Sequence, residues 1–362
     1  MGRIGISIYP EQSTFKENQE YLQLAAKYGY QRIFMSLLEI SDGKDSVVKE
    51  FSEIVSYANS LGFEVMLDVN PALFDQLGIS YDDLSFFKDL GVWGVRLDEG
   101  FTGKEEARMT RNPFGLKIEI NMSAGTHYVD NIMSYGPDKN NLLGCHNFYP
   151  QKYTALGDEF FAKWSKVFSD YNLNTAAFVS SQTAKFGPWP ISEGLPTLEK
   201  DRDLPVDTQT RHLLSFGVID DIIIGNAFAT EEELKQVADV FHSQFTSLKV
   251  ELNSDISDLE KELVLDNVHL YRGDASDYLI RDTMMRVKYA DRSLPKHNVP
   301  DIKRGDLIVV NDEYSRYKGE VQIALCDIEN DGRRNVVGHI ADAEKFLIPS
   351  IKTWSEFELV EG

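Results

Sequence analysis

Cysteine and histidine are scarce in this chain, with two and seven in 362 residues. Cys145 and Cys326 lie far apart and make no pair-like motif, so no structural disulfide is expected and a reducing cytoplasm is the default compartment. The histidines are scattered. His127 and His146 show neither HxH nor HExxH spacing, so neither a metal nor an organic cofactor is expected. Basic residues are outnumbered, with 37 Lys and Arg against 58 Asp and Glu for a formal charge of −21. A nucleic-acid backbone needs a basic footprint, and none is present. A small phosphorylated ligand stays open, because a few local arginines suffice for it. No run approaches the ~18–20 uninterrupted apolar residues of a membrane helix, so no membrane partner is expected. The opening MGRIGISIYPEQST also lacks the apolar stretch of a secretory signal. Ser180-Ser181 has no Gly-x-Ser-x-Gly frame around it, and YPEQST stands where a doubly wound fold usually carries a Gly-rich phosphate turn.

What is present is repetition of a pattern. Eight short apolar runs alternate with helical segments over the first 246 residues: 3–10, 32–38, 64–70, 94–100, 116–123, 142–150, 174–181 and 220–228. Eight β/α units are the number at which a parallel sheet closes into a barrel of ~250 residues. The first helical segment has Ser13 or Thr14 to cap its start and Gly29 to stop it. Phe160, Phe161, Trp164 and Phe168 recur at helical spacing and read as core. The proline-rich stretch 182–205 falls between the seventh and eighth runs, on the face where barrels carry their sites. After residue 247 the pattern changes to short alternating runs separated by Gly, Asp and Asn. The expected organisation is an α/β (β/α)8 barrel over 1–247 and a smaller β-rich domain over 248–362.

Barrel enzymes place their chemistry at the C-terminal ends of the strands, where residues two apart share a face. Polar side chains collect there: Glu11 after the first run, Asp68 and Asn70 on the third, and Arg96, Asp98 and Glu99 on the fourth. Glu119 and Asn121 follow on the fifth, His146, Asn147 and Tyr149 on the sixth, and Gly225 and Asn226 on the eighth. A single acid at a strand end is most often a helix cap or a solvated loop residue. Glu99 and Glu11 fit that description. Asp68, Asp98 and Glu119 fit it less well, since each lies within or directly at the end of its strand with inward parity. Several carboxylates sharing a pocket point to glycoside hydrolysis, with Asp98, Glu119, Asp68 and Glu99 as the catalytic candidates. The Asp98-Glu99 pair also suits a variant in which a 2-acetamido group is the nucleophile. A phosphosugar isomerase, epimerase or aldolase is the competing enzyme class, although an aldolase needs a Schiff-base lysine or a metal and only Lys117 lies in a strand run. A non-enzymatic carbohydrate-binding protein is the third reading, and the carboxylate-rich barrel end speaks against it.

The runs RIGISIYPEQST, LDVNP, GVRLDEGF, KIEINMSAG and HNFYPQKYTALG resemble the 6-phospho-N-acetylmuramidases of Firmicutes. In the second domain IRDTMMR, GDLIVVNDEYSRYKGEVQI and NVVGHI are similar to that family's cyclophilin-like portion. The resemblance covers nearly the whole chain. It implies a barrel followed by a cyclophilin-like domain and cytoplasmic cleavage of 6-phospho-N-acetylmuramic acid from N-acetylglucosamine during cell-wall recycling. A small phosphorylated amino-sugar disaccharide is then the partner. Asp282 departs from the smaller residue expected after Arg281. The barrel rim offers Arg96 as its one cation, so the second domain is expected to close over the mouth. Arg281 or Arg286 would then hold the phosphate, guanidinium being suited to bidentate anion binding.

Overall fold

The computed structural model describes residues 2–37, 44–184, 186–188 and 193–362, without the side chains of 44–50. It divides into two compact units, Met1–Phe241 and His242–Gly362.

Each of the eight expected runs forms a strand: β1 (Ile4–Ser7), β2 (Arg32–Ser36), β3 (Glu64–Val69), β4 (Gly94–Leu97), β5 (Lys117–Asn121), β6 (Leu142–Cys145), β7 (Asn174–Val179) and β8 (Asp221–Ile224). They pair in parallel in chain order, and β8 returns to β1 to close a TIM-type barrel. Closure removes both sheet edges, and the near-continuous burial of every strand follows from helices outside and side chains within. The first helix, α1 (Phe15–Lys27), starts at Thr14, whose hydroxyl accepts from Glu17 N while Glu17 returns to the Thr14 N–H. That reciprocal pairing satisfies two orphan donors at once. Of the expected aromatic stripe, Phe161, Trp164 and Phe168 are buried, whereas Phe160 is exposed and packs on Trp164. The later part of the 182–205 stretch is packed, with Leu195 and Leu198 fully buried. Its residues 185 and 189–192 lie outside the described set.

One row of the barrel positions the site. Ser36, Asp68, Arg96 and Glu119 are register partners across β2 to β5 and share a side of the sheet. Strand tilt sets them at different depths along the barrel axis.

The second unit is a seven-stranded sheet in the order β10-β15-β9-β14-β12-β13-β11. The strands are β9 (Thr246–Leu252), β10 (His269–Leu270), β11 (Leu279–Asp282), β12 (Asp306–Val310), β13 (Val321–Ala324), β14 (Arg334–Ile340) and β15 (Glu356–Glu361). A separate apolar core built on residues such as Leu248, Ile323 and Phe357 supports it. The run YLIRDTMMRVKY is a strand only as far as Asp282; Met285–Lys288 is a helical turn. Asp282 accounts for the break. Its carboxylate accepts the Met284 N–H at 2.8 Å and meets buried His269 Nδ1 at 2.9 Å.

Candidate active site

Arg96 organises the C-terminal mouth of the barrel. Its guanidinium is almost fully buried, and Nη1 donates to Asp68 Oδ1 at 2.5 Å and to Asp98 Oδ1 at 3.3 Å. Nη2 makes a very short hydrogen bond to Asn147 Oδ1. Asp68, Arg96, Asp98 and Asn147 line a cavity of about 190 Å³, walled also by Ser36, Phe148, Pro150 and Pro188. The two acids differ in surroundings. Asp98 stands just past the end of β4 with 36% of its side chain exposed, while Asp68 is 4% exposed. Burial pushes the Asp68 carboxyl up to about 7, with Asp98 and Glu119 adding to the rise against the pull of Arg96. Burial disfavours the charged form, and Asp98 on the same guanidinium adds to the preference for a proton on Asp68.

Of the sixth-strand residues Asn147 lines the cavity, and His146 stands behind its wall as support. His146 is fully buried, with Nδ1 3.0 Å from Ser123 Oγ and Nε2 2.8 Å from Ser165 Oγ. Burial, and secondarily Arg96, lowers it to about 3, so the ring is neutral. Ser123 Oγ also accepts the Asn147 N–H at 2.9 Å, which fixes the residue that meets Arg96. Asn121 Nδ2 donates to the Asp98 carbonyl at 3.2 Å and steadies the strand-four loop. Tyr149 is half-buried, and burial raises its phenol. Its carbonyl accepts from Arg202, which also holds Glu199 through Nε and Nη2 at 2.8 and 2.7 Å. Glu199 in turn receives the N–H groups of Tyr153 and Ala155, pinning a loop that presents Tyr153 at 88% exposure with φ +69.

The remaining sequence candidates fall elsewhere. Glu119 is fully buried and does not line the cavity; its Oε2 makes a very short ion pair with Arg32 deeper in the barrel. Asn70 caps a helix, its Oδ1 accepting from Leu73 N at 2.8 Å. Glu99 is exposed. Glu11 is exposed on a small recess that shares Ser36 and Pro188 with the main cavity. The Gly225 carbonyl accepts from Tyr9 Oη at 2.5 Å, and a Cβ at this glycine would stand 2.8 Å from the Leu195 carbonyl. Asn226 is buried and bonds to the backbone of Ser181; it borders a second cavity of about 240 Å³ with Lys152, Gln182, Glu193 and Asp203. Lys117 begins β5, where its Nζ binds the Asn140 carbonyl at 2.7 Å. In the second unit Arg281 binds Glu320 through Nε and Nη2 at 3.0–3.1 Å, and Arg286 binds the same buried carboxylate at 3.0 Å. Ser36 and Phe148 escaped the sequence reading. Ser36 carried a usable signal, being the polar end of RIFMS at the parity of Phe34. Among the described residues, no three His, Cys, Asp or Glu converge as a metal site, and no helix is long and apolar enough to cross a membrane.

A closed (β/α)8 barrel with buried acids and an arginine at its C-terminal mouth has the build of a barrel enzyme. The chain belongs to the 6-phospho-N-acetylmuramidase family: the family's N-terminal model matches residues 4–239 and its C-terminal model residues 246–360. The family name is that of a glycosidase. Among solved structures the chain is similar to an uncharacterized B. cereus protein, with 43% identity, full coverage of both chains and a TM-score of 0.92. It is also similar to a conserved protein of unknown function from an Enterococcus faecalis locus, at 25% identity over 99% of this chain and 96% of that one, with a TM-score of 0.76. No curated protein matches it.

Proposed function

We propose that the chain is a 6-phospho-N-acetylmuramidase. It hydrolyses the bond between 6-phospho-N-acetylmuramic acid and N-acetylglucosamine in the cytoplasm, as a step of cell-wall recycling. The observation that carries the chemistry is the Asp68–Arg96–Asp98 arrangement, two carboxyls on one guanidinium, of which the buried Asp68 is raised to about 7 and Asp98 stands partly exposed at the cavity. One acid buried and its neighbour open to the cavity are suited to the separate roles of proton donor and nucleophile. Asp68 gives its proton to the departing glycosidic oxygen. Asp98 attacks the anomeric carbon, forming a glycosyl ester as that carbon–oxygen bond breaks. Water then attacks the same carbon, losing a proton to Asp68 and releasing Asp98. Both carboxyls meet a single nitrogen of Arg96, at 2.5 and 3.3 Å. That placement favours the ~5–5.5 Å spacing of retaining glycosidases over the ~6.5–9.5 Å of inverting ones.

The phosphate belongs in the second cavity, at the ends of β7 and β8, where barrels commonly bind phosphate. Lys152 and Arg202 are the cations of its lining; Lys152 has a loose 3.6 Å contact with Asp203 that a phosphate can displace. Two free cysteines, and a phosphorylated substrate, support a cytoplasmic location.

The test is incubation with a disaccharide bearing muramic acid 6-phosphate, following N-acetylglucosamine release and the anomer first formed. Release with retention supports the reading, and no release ends it. Lys152→Ala should raise KM for the phosphorylated disaccharide and narrow its advantage over the unphosphorylated one. If Arg281→Ala or Arg286→Ala does so instead, those arginines hold the phosphate.

A further inference from the structure

We propose that the second unit carries a binding site for an uncharged pyranose, built on Trp354. The choice of a saccharide rests on the functional reading above; the site itself rests on the geometry that follows. Trp354 is 71% exposed and has φ +62, a backbone conformation that bulky residues rarely adopt. Its N–H donates to the Tyr271 carbonyl at 2.8 Å, which fixes the turn before β15. The indole rests on the bare backbone of Gly273. A Cβ there would fall 1.9 Å from Trp354 Nε1 and 2.1 Å from Cε2, so only glycine permits this ring position. A cavity of about 320 Å³ opens beside the ring, bordered by Leu270, Arg272, Asp274, Thr283 and Met284. It lies where the ends of β10 and β11 meet, Arg272 N donating to the Arg281 carbonyl at 3.0 Å.

The lining selects the ligand class. Specific small-molecule sites combine apolar surface with a few placed polar groups. A pyranose presents a flat C–H face, which suits the indole, and a rim of hydroxyls, which suits Arg272, Asp274 and the Thr283 hydroxyl. Arg272 and Asp274 form a very short ion pair with each other, so the cavity has no surplus cation for a phosphate. A neutral amino sugar fits that balance better than a sugar phosphate.

The experiment uses the full chain labelled with ¹⁵N and follows its tryptophan indole N–H signals as N-acetylglucosamine is added. The signal missing from Trp354→Ala identifies Trp354. That signal is expected to shift in a saturable way. Trp354→Phe should keep the sugar affinity within about threefold, judged from neighbouring backbone signals, and Gly273→Ala should weaken it at least tenfold while the chain stays folded. Turnover by Trp354→Ala on the phosphorylated disaccharide, measured separately, should stay within about twofold. A Trp354 signal unmoved by the sugar overturns the proposal, as does one moved only by a short apolar peptide. A chain that binds sugar at Trp354 but releases nothing from the disaccharide would refute the hydrolase reading and leave this site standing.

Discussion

Two groups of acids and guanidiniums occupy the interior of the same barrel, one at each end. At the mouth, Arg96 meets Asp68 and Asp98 beside an open cavity. Below, Arg32 is fully buried between Glu119 and Asp221, and Arg3 binds Asp221 at 2.7 Å and Glu64 at 2.5 Å. Trp93 covers the lower group, its ring centroid 4.5 Å from the Arg3 guanidinium and 5.9 Å from that of Arg32. The residue types are the same, and the surroundings differ. Glu119 and Asp221 are fully buried and held by Arg32 and Arg3 beside the Trp93 ring, with the partly exposed Glu64 at the edge of the group. The upper pair shares one guanidinium, opens to a cavity and keeps a proton near neutral pH. Access and local charge balance, rather than composition, separate the proposed reactive cluster from the structural one.

The sharpest way to break this comparison is to neutralise one acid at each end. Asp98→Asn or Asp68→Asn should lower turnover by roughly 10³-fold or more, in line with the loss of a nucleophile or general acid, and for the partly exposed Asp98 with little change in melting temperature. Glu119→Gln should spare turnover per folded molecule within a few-fold; a loss as large as that of Asp98→Asn would place Glu119 in the chemistry and dissolve the distinction.

The converse loss should fall on stability. Arg32→Met leaves the buried Glu119 carboxylate without its partner, a change that costs on the order of 3–5 kcal/mol; Glu119→Gln should cost less, because Arg32 keeps Asp221. Chemical denaturation should register it for the lower group. A cost below about 1 kcal/mol, the range of exposed ion pairs, would show that the lower group is not sealed.

A pH profile sharpens the comparison further. The folded-state Asp68 carboxyl is raised to about 7 from an ordinary carboxylate value, so the fold retains a proton that the unfolded chain releases at lower pH. Its contribution to stability is therefore present in full below the unfolded value and is lost as pH rises through about 7. In the proposed mechanism the acid form is the active one, so kcat/KM should decline on the alkaline side of about 7. Asp68→Asn should remove the corresponding slope from the stability curve, whereas an unchanged slope would assign the proton elsewhere.

The smallest effect concerns strain at the mouth. Tyr153 holds φ +69 while its ring stands in solvent, and glycine meets no steric penalty in that conformation. Tyr153→Gly should leave stability unchanged or raise it by about 1 kcal/mol. A marked loss would show that the exposed ring makes contacts that hold the loop.

Much of the barrel was legible because its signals are local. Alternating runs marked all eight strands, the Ser13-Thr14 pair marked the start of α1, and strand-end parity pointed to Asp68, Arg96, Asp98 and Asn147. Where the reading departed from the structure, a position along the barrel axis or a distant partner was responsible. Parity places Glu119 on the inner face as surely as Asp68, but Glu119 is the third of the five residues in β5 and Asp68 the fifth of six in β3. The extension of YLIRDTMMRVKY as a strand failed at Asp282, whose carboxylate caps the following turn and meets His269, 13 residues away.

The sequence by itself determined the periodicities: which segments are strands, which face of each points inward, and that acids would gather inside the barrel. Those properties follow from alternation and capping within a few residues. Only the tertiary structure decided which acids became a site, because shear and tilt set their depth and bring Arg32 from β2 to Glu119 on β5. At the mouth Arg96 meets Asp68, Asp98 and Asn147. The proton on Asp68 follows from burial and from the nearness of Asp98, which are properties of the assembled barrel rather than of any one strand.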